Sequence, residues 1–140
     1  MKRYLGRFIV LLGLIGLGIS CSVSHELEVT IFISGNDPTV KQMYFQSGNV
    51  GLFTLYDPLT LGLMYSIEFN PEDNTRFTNQ GIPIGTYIPE ITIYAANNLS
   101  QPILVGRLLA DPYTQLTPNG NAVTINEGEL ISLNFEVGYP

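Results

Sequence analysis

Residues 61–69 read Leu-Gly-Leu-Met-Tyr-Ser-Ile-Glu-Phe, and in them Leu61, Leu63, Tyr65, Ile67 and Phe69 alternate with Gly62, Met64, Ser66 and Glu68. Side chains of a strand point to opposite faces in turn, so a period of two predicts a strand with one buried and one wet face. The same alternation recurs in both directions along the chain. Leu27, Val29, Ile31 and Ile33 alternate with polar residues in 25–34, with Phe32 as the exception. Ile131, Leu133, Phe135 and Val137 alternate with Ser132, Asn134 and Glu136. Tyr87, Pro89, Ile91, Ile93 and Ala95 share a face of 87–95, and Pro89, lacking an N–H, places that end at a sheet edge or bulge.

Between these runs stand Gly35-Asn36-Asp37-Pro38, Ser47-Gly48-Asn49, Asp57-Pro58, Asn70-Pro71-Glu72-Asp73-Asn74, Asn97-Asn98, Asp111-Pro112 and Asn126-Glu127-Gly128-Glu129. Their glycine and Asx residues tolerate turn dihedrals and their prolines stop a ladder. The remaining strands are predicted at 40–46, 50–56, 76–78, 103–110 and 122–125, with the first two joined as a hairpin. No window reads as a helix of three turns. The spacing predicts an all-β fold, an antiparallel two-sheet sandwich of about eight strands.

With 140 residues, 45% of them hydrophobic and 13% charged, the chain is long and apolar enough for one folded domain. One Cys excludes an internal disulfide, and one Cys with one His excludes a structural zinc site. A formal charge of −6 opposes nucleic-acid binding.

The first twenty residues belong to a different solvent. Lys2, Arg3 and Arg7 precede an unbroken apolar run from Phe8 to Ile19. Twelve residues rise about 18 Å as a helix, short of the roughly 30 Å hydrocarbon layer, so the run reads as a secretory signal and not a permanent span. It ends in Gly18-Ile19-Ser20-Cys21, which resembles the lipobox of bacterial lipoproteins; Ile19 and Ser20 match the usual residue types, and Gly18 stands where Leu is common. The resemblance implies cleavage before Cys21, a diacylglycerol thioether on its sulfur and usually an acyl group on its amine. Residues 1–20 are then the signal peptide and 21–140 the domain. Ser22 in place of Asp implies the outer membrane in preference to the inner. Loss of the signal leaves Lys41, Arg76 and Arg107 against all twelve acidic residues, a formal charge of −9. Such a surface does not seek anionic lipid, so the acyl chains on Cys21 are the membrane contact.

The segment Ile82-Pro83-Ile84-Gly85-Thr86-Tyr87 leading into Ile91-Thr92-Ile93 is similar to the Gly-x-Tyr element of prealbumin-like and carboxypeptidase-regulatory-like β-sandwiches. The turn 127–129 before the last strand is similar as well. The resemblance implies a sandwich in which the glycine turns the chain and the tyrosine packs over the core edge. It implies no activity.

No catalytic constellation is legible. His25, the one imidazole, sits four residues from the expected anchor, and no G-x-S-x-G, H-E-x-x-H or P-loop spacing occurs. The close carboxylates Glu26/Glu28, Glu72/Asp73 and Glu127/Glu129 fall on polar faces and turns, where solvation is their ordinary role. The turn residues Asn36, Asp37, Asp57, Asn70 to Asn74 and Asp111 offer oxygen ligands without calcium-loop spacing. No metal, cofactor or enzymatic activity is therefore expected. Of the eight tyrosines most are expected to pack at the sandwich rim, with Tyr94 and Tyr113 the contact residues if a protein or ligand partner exists. The resulting expectation is a lipid-anchored, non-enzymatic binding or structural module of the bacterial envelope. The alternatives are a carrier of a small apolar ligand in a barrel-like cavity and a carboxylate-pair hydrolase.

Overall fold

The computed structural model describes residues 26–109, 114–117 and 120–140. Nine strands run β1 (Glu26–Ile33), β2 (Val50–Tyr56), β3 (Leu63–Phe69), β4 (Arg76–Gln80), β5 (Gly85–Ala95), β6 (Asn98–Leu108), β7 (Thr114–Thr117), β8 (Gly120–Ile125) and β9 (Leu130–Gly138). They hydrogen-bond in the order β3-β2-β5-β6-β9-β1-β4, and β8 carries β7 onto the Gly85 end of β5. The path curls until the layer of β3, β2 and β5 faces the layer of β9, β1 and β4, which makes a β-sandwich. Phe53 of β2 is the hinge of that packing, its ring edge-on to Phe77 of β4 at 6.0 Å and to Phe135 of β9 at 6.2 Å. The inward positions named by alternation are buried: Leu27, Val29 and Ile31, then Ile91 and Ile93, then Ile131, Leu133, Phe135 and Val137. Phe32 points outward, half-exposed.

One pair departs from an all-antiparallel sheet. β1 and β9 run parallel in unbroken register from Glu26↔Leu130 to Ile33↔Val137. They lie far apart in sequence, so no hairpin constrains their direction, and the match of two buried aliphatic faces sets the register.

The predicted strand at 40–46 is a helix, α1 (Pro38–Tyr44). Its start is built by Asp37, whose Oδ1 accepts from the Thr39 N–H at 2.8 Å and the Val40 N–H at 3.4 Å, with Pro38 at the first helical position. Asp-Pro serves here as cap and helix starter where sequence reading took it for a turn alone. Val40 and Tyr44, one helical turn apart, are the buried pair. The hairpin expected between 40–46 and 50–56 is accordingly absent; β2 pairs with β3 and β5. Strand β6 starts at Asn98, five residues before the predicted 103–110, and β7 was not foreseen.

Pro89 sits where its chemistry requires. Residues 88–90 of β5 pair with β2 alone, in the gap between the β8 ladder at 85–87 and the β6 ladder at 91–95. The Gly-x-Tyr element has a direct cause: Tyr87, buried, folds its phenol back to donate to the Pro83 carbonyl at 2.9 Å. A Cβ on Gly85 would meet that phenol oxygen at 3.0 Å, so glycine is what lets the ring return. In the same manner the Phe69 ring lies over Gly51, its cross-strand partner, in the space a Cβ would fill.

Two measurements test this packing. Phe53→Ala removes the ring that both layers share and is expected to cost about 3–5 kcal/mol in denaturant unfolding. Tyr44, fully buried with its hydroxyl donating to the Asn74 carbonyl at 2.6 Å, has a phenol pushed by burial well above its ordinary value. The fold thus holds the neutral phenol. Stability is whole below the ordinary tyrosine value of about 10 and declines as pH rises beyond it. Tyr44→Phe is expected to reduce that alkaline slope.

Candidate functional site

Three surfaces offer more than solvated polarity. The first is the loop between β2 and β3. Asp57 organises it: its Oδ1 accepts from the Leu59 N–H at 2.9 Å and the Thr60 N–H at 2.8 Å, while its backbone N–H donates to the Gly62 carbonyl and its carbonyl accepts from the Leu61 N–H, both at 2.9 Å. The amides of Thr60 and Leu59 favour the carboxylate and lower its pKa below the usual aspartate value. Leu61 adopts φ 58°, a left-handed conformation that costs a leucine about 1–2 kcal/mol. A loop that holds this strain presents Leu59, 87% exposed, together with exposed Leu61, Leu63 and Met64. Alternation had placed Leu61 and Leu63 on the buried face with Tyr65, Ile67 and Phe69. The structure separates them: the strand begins at Leu63, and only the last three turn half-buried against the core.

The second surface is the outer face of β2 and β5. Thr54 and Thr92 are buried there although alternation places them on the face away from the core, and Leu52, Tyr56, Ile88 and Tyr94 of the same face are half-buried. Tyr94, expected as a contact residue, stands at the end of this patch, opposite Val50 on one side and Pro102 on the other. Tyr113 lies outside the described residues, as do Cys21 and His25. Glu90 is the one carboxylate of the β5 share of this face; it is exposed at the surface, yet partial desolvation of its carboxyl raises its pKa. Its register partner is Thr54, and no second acid faces it there.

The third set comprises shallow surface depressions. One of about 330 Å³ is lined by Ser34, Arg107, Glu136, Gly138 and Tyr139, another of about 320 Å³ by Gly48, Asn49, Val50, Glu68, Phe69 and Asn70. A wider one lies against Gln42 and Met43 of α1 and Phe45 and Gln46 just after it. None of the three gathers two carboxylates, so the geometry a carboxylate-pair hydrolase requires is not found in them. All three open at the surface, and Phe53, Phe135 and the aliphatic side chains around them belong to the buried core between the layers.

One member of each acidic pair singled out in the sequence has a structural partner. Glu28 forms an ion pair with Arg76 at 2.8 Å across β1 and β4. Asp73 Oδ2 accepts from Asn70 Nδ2 at 2.8 Å, and Glu129 Oε2 accepts from Asn126 Nδ2 at 3.1 Å. Asp37 caps α1 and Asp57 knots its loop. Among the described residues no group of three or more His, Cys, Asp or Glu side chains could hold a metal ion. What sequence reading missed is the loop tip, and the signal was present: Leu59, Leu61, Leu63 and Met64 crowd the eight residues that begin with Asp57-Pro58.

No protein-family model matches the chain, and no curated protein matches it. Among solved structures it is similar in outline to the minor pilin GBS52 of Streptococcus agalactiae, at 12% identity and a TM-score of 0.39, over 84% of this chain and 45% of the pilin. It is also similar to an adhesin of Mobiluncus mulieris that contains intramolecular disulfide, isopeptide and ester cross-links, at 14% identity and a TM-score of 0.39, over 82% of this chain and 41% of the adhesin. The chain spans less than half the length of either.

The Asp57 knot makes a pH prediction. A lowered folded value means that the ionised carboxylate stabilises the loop; its contribution is present above the ordinary aspartate value of about 3.9 and is lost as pH falls through the lowered one. The protection of the Leu59 and Thr60 amides, taken relative to the intrinsic exchange rate at each pH, is expected to fall over that acid range, and Asp57→Ala is expected to lower it already at neutral pH.

Proposed function

We propose that the chain is a lipoprotein of the bacterial envelope, in which residues 1–20 are a cleaved signal, Cys21 carries the lipid and the sandwich is a non-enzymatic binding or structural module. The observation that carries the reading is the position of the sole cysteine. It closes an apolar run too short to span a bilayer, within the lipobox-like Gly18-Ile19-Ser20-Cys21, five residues before β1 begins at Glu26. Acyl chains at that point tie the domain to a membrane with about 0.8 kcal/mol for each buried CH₂, which two or three chains make effectively permanent. Among the described residues no helix is long and apolar enough to cross a membrane.

Ser22 following Cys21 favours the outer membrane. The strongly acidic mature domain makes nucleic acid an unsuitable partner. A protein or ligand partner would meet the outer face of β2 and β5, where Tyr94 combines an apolar ring with a hydroxyl that can stay wet; Tyr113 is proposed as a second contact. No cofactor or metal enters this reading.

The test is the mass of the mature N-terminus. The expected species begins at Cys21 and carries diacylglycerol and an N-acyl group, and palmitate labelling is expected to disappear in Cys21→Ala. A bare Cys21 thiol in the mature protein would overturn the anchor.

A further inference from the structure

The strand directions decide which end of the sandwich the anchor holds. β1 runs from Glu26 to Ile33 and β9 runs parallel to it, β6 antiparallel to β9, β5 antiparallel to β6 and β2 antiparallel to β5. The end of β2, the start of β3 and the start of β1 therefore lie at one end. So do the β4–β5 connection, since Gln80 pairs with Glu26 and β5 begins there at Gly85, and the start of β9, since Leu130 pairs with Glu26.

The exposed large apolar side chains are distributed unequally between the two ends. Leu59, Leu61, Leu63 and Met64 on the β2–β3 loop and strand start, Ile84 before β5 and Leu130 at the start of β9 are all at the Glu26 end, each more than half exposed. Phe32, Leu99 and Tyr139 are at the other. Cys21 is five peptide units from Glu26, a reach of at most about 18 Å. A lipid on Cys21 thus holds this apolar end, and not the opposite one, close to the bilayer.

Resting on the anchor proposed above, we propose that the Glu26 end is a membrane-seating surface, with the β2–β3 tip entering the interface of a neutral, zwitterionic bilayer beside the acyl chains. The charges at this end fit that lipid. Asp57, Glu26, Glu127 and Glu129 are acidic and no Lys or Arg accompanies them; Arg76 lies further along β4 in its pair with Glu28, and Arg107 faces Glu136 across β6 and β9. An anionic surface would repel the set. At the tip itself the only charge is Asp57, whose carboxylate accepts from two backbone amides; it stays an anion, so it remains at headgroup depth while the exposed leucines reach the interface. The knot and the left-handed Leu61 hold the tip outward in advance, which lowers the ordering cost of insertion.

The chain has no Trp, so single-tryptophan variants report one position each. Leu59→Trp and Leu99→Trp, at opposite ends and on exposed sites, are made in the full chain, purified from membranes and reconstituted into phosphatidylcholine vesicles brominated on the acyl chains, after the mass of Cys21 has been read. The expected result is blue-shifted emission and quenching for the residue-59 probe, and water-like, unquenched emission for the residue-99 probe. A lipidated protein in which both probes stay in water, or both are quenched alike, overturns the seating while leaving the anchor standing. A bare Cys21 removes the anchor, and the residue-59 probe then decides alone with added vesicles: quenching sustains a lipid-seeking tip, and emission unchanged by lipid overturns it. A shift that grows with protein concentration and is insensitive to bromine assigns the end to a second copy of the chain and also overturns the proposal.

Discussion

The structure depends on a sheet closing upon itself without hydrogen bonds at the seam. Strands β3 and β4 are the two ends of the ladder, and no backbone pairing joins them. Side chains do. Phe69 of β3 lies 4.9 Å from Phe77 of β4, Phe77 meets Phe53 edge-on, and Tyr65 accepts at its hydroxyl from Asn79 Nδ2 at 2.7 Å. Aromatic pairs of this geometry contribute about 0.5–1.5 kcal/mol each beyond the area they bury, and an edge strand whose inner face is committed in this way is held in place despite its unpaired backbone. Gly51 belongs to the same arrangement, because only a residue without a Cβ leaves room for the Phe69 ring.

A closed core of this kind frees the loops from folding duty and leaves their chemistry to local hydrogen bonds. Asp37, Asp57 and the Asn70–Asn74 segment each satisfy backbone groups that a turn would otherwise leave bare. Among the described residues the carboxylates that hydrogen-bond within turns, Asp37, Asp57, Asp73 and Glu129, belong to four separate turns. The Asn70–Asn74 loop is in turn fastened to α1 by the Tyr44 hydroxyl, and Asn49 Nδ2 donates to the Met43 carbonyl at 2.7 Å at the helix exit, so α1 is held to the sandwich by buried polar contacts as well as by Val40.

The strained, knotted β2–β3 loop is the place where local preference and burial disagree. Leucine at positive φ, and four large apolar side chains left in water, are both unfavourable for a domain considered alone. An unfavourable feature that the surrounding hydrogen bonds actively maintain points to a role outside the fold, and the strand directions set that loop on the same side as the departure of the chain toward Cys21.

The sequence by itself determined the all-β class, the inward faces of β1, β5 and β9, the sheet-gap position of Pro89, the return of Tyr87 over Gly85 and the emptiness of the chain of catalytic spacing, because each depends on residues within about ten of one another. The same local reading turned α1 into a strand, since seven residues hold too few turns to separate a period of 3.6 from one of 2, and the distinguishing features are the Asp37 cap and Pro38 at the first helical position. Tertiary structure alone decided the parallel pairing of β1 with β9, the aromatic seam between β3 and β4, and the gathering of Leu59, Leu61, Ile84 and Leu130 at the Glu26 end. These join residues up to about a hundred positions apart, and which end of a sandwich a loop occupies follows from strand direction, a property that no local pattern of residues encodes.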